Sequence, residues 1–228
     1  MDTQINNLVH LKGVRGAIAK KMIHSLQSSA QLSFHAEANI SPLLDCKRQL
    51  SAQGNNVSLQ DMLHLVIIAT LGRHMHLNGK LENNAITYNP DIHLSFAVSL
   101  ADNLLVTPTI FSAQHLTITE LQQLRHEATG KAQRNELKPK DYTGGSITIT
   151  NLGLSRVKYF TPILNTPQIA ILGLGATTES YKLNAAGELE ATKLMGLSLT
   201  VDHRAIDGVP AANFLSDLCT NIEEIECE

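Results

Sequence analysis

Leu197-Ser198-Leu199-Thr200-Val201-Asp202-His203-Arg204-Ala205-Ile206-Asp207-Gly208 joins two patterns of different period. Leu197, Leu199 and Val201 alternate with Ser198, Thr200 and Asp202, which predicts a strand half-buried on one face. Beyond Gly208, Ala211, Leu215, Leu218, Ile222 and Ile225 recur at helical spacing, with Pro210 suited to the first turn. A strand end therefore delivers His203 to a loop ahead of the last helix. Its neighbours Asp202, Arg204 and Asp207 make this junction the place to look for chemistry.

Outward from the junction, Ile18, Met22 and Leu26 predict an amphipathic helix over Arg15 to Ser29, and alternation from Leu32 to Ile40 predicts a strand. Ser41-Pro42 opens a helix reaching Leu50, and Ser58 with Asp61 opens a longer apolar one. Strand patterns follow at Ile92 to Leu100 and Leu104 to Pro108, then a polar helix from Thr117 to Asn135. Strands and helices mixed without strict βαβ alternation predict the α/β (α+β) class with a mixed sheet. Residues 1–12 read as an N-terminal arm, and 13–228 as one domain.

A chain of 228 residues, 43% hydrophobic and 17% charged, buries a sizeable core. A net charge of −3, with no basic run and no clustered aromatics, argues against nucleic acid or an anionic membrane surface as partner. The apolar stretch Leu59 to Leu71 is interrupted by Gln60, Asp61 and His64 and falls short of a bilayer span. The start lacks the basic end and apolar run of a secretory signal. Cys46, Cys219 and Cys227 carry neither metal nor redox spacing and fit a reducing compartment, so a cytoplasmic protein is expected. No Gly-x-Ser-x-Gly elbow occurs, His126-Glu127 lacks a second histidine, His74-x-His76 reads as a surface pair, and Gly173-Leu174-Gly175 lacks the third glycine of a dinucleotide fingerprint. No metal site is expected.

Asp202-His203-Arg204 followed by Asp207-Gly208 resembles the active-site signature of the dihydrolipoamide acyltransferases of 2-oxo acid dehydrogenase complexes. The resemblance continues through Gly144 to Gly153, Phe160-Thr161-Pro162-Ile163, Pro167 to Gly173 and the N-terminal Gly13 to Met22, so it covers nearly the whole chain. It implies a two-layer, chloramphenicol-acetyltransferase-like sandwich with helices on one face, assembled as a homotrimer or a larger cage. The active site then lies between subunits. It also implies acyl transfer between a dihydrolipoyl thiol and coenzyme A, with His203 as general base. Thr150, facing the histidine of an adjacent subunit, is the implied oxyanion donor.

The chemistry requires such residues. A thiol with a pKa of about 8.5 needs a base near neutrality, and the tetrahedral oxyanion needs a preorganised donor. Asp207 is implied to pair with an arginine, Arg204 or Arg15, and its place ahead of a helix equally suits an N-terminal cap. Asn78, Ser95 and Asn151 are the implied substrate contacts. Leu104-Leu105, where the family usually has Gly-Leu, is a departure beside the implied coenzyme A channel. Lipoyl and subunit-binding domains are absent from these residues. The lipoyl group is therefore expected in trans from another chain, and docking of a decarboxylase and a dihydrolipoyl dehydrogenase is an open expectation. The stretch around His203 resembles the acetyl-transferring members, of the pyruvate or acetoin type, more than the succinyl-transferring ones, which implies acetyl transfer. A chloramphenicol-type O-acetyltransferase predicts histidine where Asp202 stands, and a non-catalytic structural core would not need His203 and Thr150.

Overall fold

The computed structural model describes residues 10–101, 104–183 and 186–227. Most of the predicted arm, residues 1–9, lies outside them. In chain order the helices are α1 (Gly13–Ser28), α2 (Ser41–Ala52), α3 (Leu59–Arg73), α4 (Ile118–Gln133), α5 (Pro139–Tyr142) and α6 (Gly208–Glu223). The strands are β1 (Gln31–Asn39), β2 (Gly79–Glu82), β3 (Ala85–Tyr88), β4 (Leu94–Phe96), β5 (Val98–Ser99), β6 (Leu105–Val106), β7 (Thr109–Ile110), β8 (Ile147–Asn151), β9 (Ala170–Leu183) and β10 (Leu189–Asp202). A six-stranded sheet has the order β1-β10-β9-β8-β4-β7, with β8 parallel to both neighbours and the remaining pairs antiparallel. This is the expected mixed sheet.

Local chemistry sets the helix starts. The Ser58 side chain accepts from the Asp61 amide at 3.1 Å, and Thr117 with Glu120 forms a complete capping box on α4. One apolar core joins Leu43 of α2, Leu63 and Ile67 of α3, Leu121 of α4 and Phe214 of α6 to Leu94, Ile149, Leu172 and Leu199 of the sheet. At the edge of that core Arg125 of α4 grips the buried Asp61 carboxylate through Nε and through Nη2 at 3.0 Å. Burial pushes the Asp61 carboxyl upward, but hydrogen bonds from Arg125 and Ser58 outweigh it and hold it below its ordinary value.

The sheet's other face departs from the sequence reading. β10 was predicted to keep one wet face, yet residues 195–202 are buried on both. An irregular strap over residues 155–168 covers that side. It approaches so closely that a Cβ on Gly175 or Gly196 would sit 2.0 Å from the Lys158 carbonyl oxygen, and one on Gly173 would sit 2.6 Å from the Phe160 ring. The polar residues of β10 are satisfied there: Ser198 Oγ meets His35 Nδ1 at 2.9 Å and accepts the Phe160 amide, and Thr200 Oγ1 meets Ser33 Oγ at 2.7 Å. α1 is held by this strap, through Ser25 donating to the Leu164 carbonyl at 2.7 Å.

Two further expectations change. The single strand predicted over residues 92–100 divides at Ala97, because β4 stays in the main sheet while β5 leaves it to pair with β6. Cys46 and Cys227, 181 residues apart and expected from their spacing to fit a reducing compartment, are paired as a disulfide between α2 and the tail after α6. Cys219 remains a thiol, pushed up to about 11 by burial and by Glu223. No helix among the described residues is long and apolar enough to cross a membrane.

Candidate active site

Asp202 ends β10 and is 2% exposed. Its carboxylate accepts the Ala30 amide at 3.3 Å, the Arg204 amide at 3.1 Å, and the Arg204 guanidinium at 2.9 Å from Nε and 2.6 Å from Nη2. Its own carbonyl accepts the amides of Ala205 and Ile206 at 2.8 and 3.0 Å. Burial raises the Asp202 carboxyl, while the hydrogen bonds from Arg204 and Ala30 lower it further, leaving it below its ordinary value. The intervening residue, His203, donates its amide to the Ala30 carbonyl at 2.8 Å. The loop is thus clamped to Ala30 at the α1–β1 junction through the Asp202 carboxylate and the histidine's own amide. The imidazole stays 46% exposed.

This geometry corrects the expected Arg204–Asp207 pair. Two residues from Asp202, the guanidinium turns back onto the strand-end carboxylate and does not reach Asp207. Asp207 occupies the N-cap position of α6 but makes no capping bond; its Oδ1 lies 3.7 Å from His203 Nδ1, and the carboxylate is 86% exposed. Arg15 sits half-buried in the first turn of α1.

Thr150 is half-buried near the end of β8, and its hydroxyl has no hydrogen-bond partner among the described residues. It stands level with Gly173 of β9 and Ser198 of β10. His203 lies five residues beyond Ser198, about 16 Å along the strand, and two strand spacings, about 10 Å, across. Within one chain the two residues are therefore about 19 Å apart, far beyond hydrogen-bond reach. One copy does not bring them together.

The expected substrate contacts fare differently. Asn78 is fully buried, and its side chain is used up: Nδ2 donates to the carbonyls of Asn89 and Asp91 at 3.0 and 2.8 Å, and Oδ1 accepts from Ser146. Its two N–H donors hold backbone, and it lines neither of the two clefts described below. Ser95 is also buried, bonded to Thr109 Oγ1 at 2.9 Å. Asn151 is exposed, with Oδ1 accepting the Gly153 amide at 2.7 Å. His74 Nε2 lies 2.8 Å from Asp217 of α6, and no group of three potential metal ligands occurs among the described residues.

A feature without a sequence signal lies beside the His203 loop. Two clefts, of about 570 and 460 Å³, share Lys21, Glu82, Thr166 and Pro167 as walls. His93, Phe111 and Tyr142 line the first; His24, Asp202 and Arg204 line the second. His93 falls on the polar side of an alternating run and Lys21 on the polar side of a helix, where such residues are ordinary.

Residues 3–227 match the family described as 2-oxoacid dehydrogenases acyltransferase (catalytic domain). The chain belongs to this family. The acetyltransferase component of the Bacillus subtilis acetoin cleaving system is 37% identical over 221 residues, which are 95% of this chain and 55% of that protein. The chain thus spans about half the length of the curated relatives it matches. A probable dihydrolipoamide acetyltransferase from Listeria monocytogenes superposes with a TM-score of 0.89 at 25% identity, covering 98% of this chain and 97% of that one. A dihydrolipoamide acetyltransferase of Azotobacter vinelandii, in whose catalytic mechanism a serine, a histidine and an asparagine have been investigated, gives 0.85 at 25% identity, covering 95% and 91%. Chloramphenicol acetyltransferase shares the fold, with a TM-score of 0.56 at 16% identity over 90% of this chain and 92% of that one. The acyltransferase fold expected from the sequence is therefore the fold observed.

Proposed function

We propose that this acyltransferase domain moves an acetyl group between a dihydrolipoyl thiol and coenzyme A, with His203 of one copy working opposite Thr150 of another. The observation that carries the reading is the clamped, exposed His203 followed four residues later by Asp207. In the Azotobacter acetyltransferase the investigated asparagine also stands four positions after the histidine, and the serine 52 positions before it; Thr150 stands 53 before His203.

Transfer toward coenzyme A begins when neutral His203 takes the proton of its thiol, and the thiolate attacks the S-acetyldihydrolipoyl carbonyl. The oxyanion formed accepts a hydrogen bond from the Thr150 hydroxyl, which has no competing partner among the described residues. Collapse expels the dihydrolipoyl thiolate, and His203 returns the proton. Asp207, already 3.7 Å from Nδ1, needs only a small rotation to accept its proton and leave Nε2 as the base.

Self-association supplies the second half of the site. Val14, Ile23 and Leu26 of α1 are 62%, 56% and 54% exposed in the single chain, a burial debt that a homotrimer or larger cage would meet. The lipoyl carrier is a lipoyl domain outside these residues, and a decarboxylase and a dihydrolipoyl dehydrogenase complete the cytoplasmic complex. Asp202, bonded to Arg204 where an O-acetyltransferase of the chloramphenicol type would have histidine, favours the thiol acceptor.

The test is mass-spectrometric detection of S-acetyldihydrolipoamide from acetyl-coenzyme A and free dihydrolipoamide. Product is expected with wild type and is lost in His203→Ala, with assembly unchanged by sedimentation. Full turnover by the variant would overturn the assignment.

A further inference from the structure

The larger cleft contains a histidine that the transfer reaction does not use. The Ser112 amide donates to His93 Nδ1 at 3.1 Å. A backbone N–H can only donate, so Nδ1 is the acceptor, and the ring proton resides on Nε2. His93 is thereby made a hydrogen-bond donor and disqualified as a base. The structure commits many polar groups to holding it so. Ser146 Oγ accepts the His93 amide at 2.9 Å, and the Ser146 amide donates to the His93 carbonyl at 2.8 Å. The buried Asn78 fixes the carbonyls just upstream. Ser112, in left-handed backbone at φ 48°, bonds through its hydroxyl to Asp91 at 3.2 Å, and Phe111 packs edge-on against the imidazole with ring centroids 5.1 Å apart.

Lys21, which also lines this cleft, donates to Asn165 Oδ1 at 2.5 Å. Asn165 donates to Thr148 Oγ1 at 3.1 Å, and the Thr148 hydroxyl donates to Gln168 at 2.6 Å, so the acceptor that anchors the ammonium is itself fixed by further hydrogen bonds. An ammonium has three protons, and this anchor uses one. Lys80, the other cation of the cleft, is paired with Glu82 at 2.9 Å. Lys21 has no carboxylate partner among the described residues. Partial burial lowers its pKa, the direction that binding an anion would reverse. The cleft therefore carries one uncompensated positive charge, a fixed neutral donor, and the aromatic edges of Phe111 and Tyr142.

We infer that this cleft binds a small monocarboxylate, its carboxylate held by Lys21 and by His93 Nε2–H and its apolar body against Phe111 and Tyr142. A single net charge suits a carboxylate better than a phosphate dianion. The inference is independent of the role given to His203.

Saturation-transfer NMR on the whole assembled chain, with butyrate as probe, butyramide as its neutral isostere and inorganic phosphate as competitor, tests it. Butyrate is expected to bind and butyramide to bind at least roughly tenfold more weakly, as loss of a charge-assisted hydrogen bond requires. Lys21→Met and His93→Phe each weaken butyrate by a similar factor, Lys21→Arg restores it, and His203→Ala leaves it unchanged. The inference fails if butyrate does not bind, as when an acidic group of a second copy fills the cleft. It fails equally if butyramide binds as well, if phosphate displaces butyrate at equal concentration, or if Lys21→Met has no effect.

Discussion

Replacing His64 with leucine is expected to remove most of this protein's instability in mild acid. His64 lies on α3, fully buried against Phe96, and neither ring nitrogen has a hydrogen-bond partner among the described residues. Burial pushes its pKa down to about 4 from 6.5; Asp61 pulls upward and Arg125 downward, and burial prevails. Between those values the unfolded chain binds the proton and the folded chain does not. Stability is therefore intact above 6.5, falls as the pH drops below it, and reaches its full loss near 4. The interval corresponds to about 3 kcal/mol, of which about 2 kcal/mol is gone at pH 5. The carboxyls of Asp61 and Asp202 are held below 3.8 and act only under more acidic conditions. Leucine also eliminates two unsatisfied buried nitrogens, a gain on the order of 1 kcal/mol at neutral pH. Urea unfolding followed by circular dichroism at pH 7.5 and 5.0, at one fixed protein concentration because the proposed assembly would add to stability, measures both effects. Should wild type and His64→Leu lose the same stability between the two pH values, His64 is not the buried neutral group described.

Arg125→Leu strands the Asp61 carboxylate and should cost about 3 kcal/mol or more in the same unfolding assay, whereas Arg125→Leu combined with Asp61→Leu should recover most of it. Thr150→Ala should lower kcat for acetyl transfer roughly a hundredfold with sedimentation unchanged; an unchanged kcat returns Thr150 to an ordinary strand residue. Gly175→Ala places a methyl 2.0 Å from the Lys158 carbonyl and should lower Tm while destabilising by about 1–3 kcal/mol, measured by calorimetry; wild-type stability would mean that the strap moves freely.

What the sequence revealed is what is local. The motif strand, the helix after it and the capped starts at Ser58 and Thr117 are written in period and side-chain capping within a few residues. The strap has no period, so its cover over β10 was invisible, and Gly173 and Gly175 looked like an incomplete nucleotide fingerprint when their bare Cα atoms serve that cover. Arg204 could be named as a partner for a loop carboxylate, but choosing between Asp202 and Asp207 depends on how the chain turns after β10. Asn78 illustrates the converse: an asparagine ahead of a strand suggests a ligand contact until its amide is found occupied by two carbonyls and a serine.

The separation of Thr150 from His203 follows from strand register and needs no side-chain detail. Five residues of rise and two strand spacings cannot be closed by rotamers, and a sheet hydrogen-bonded on both sides of β9 does not shear by ~19 Å. A hydroxyl without a partner among the described residues on β8 and an imidazole left exposed at the end of β10 are each unfinished in the chain that carries them. The apolar residues left exposed on α1 are unfinished in the same sense, for packing and not for chemistry. One event, the seating of a second copy so that its β8 end faces this chain's β10 loop, would resolve all three, which is why we place the proposed catalytic unit at the contact between copies and not inside either one.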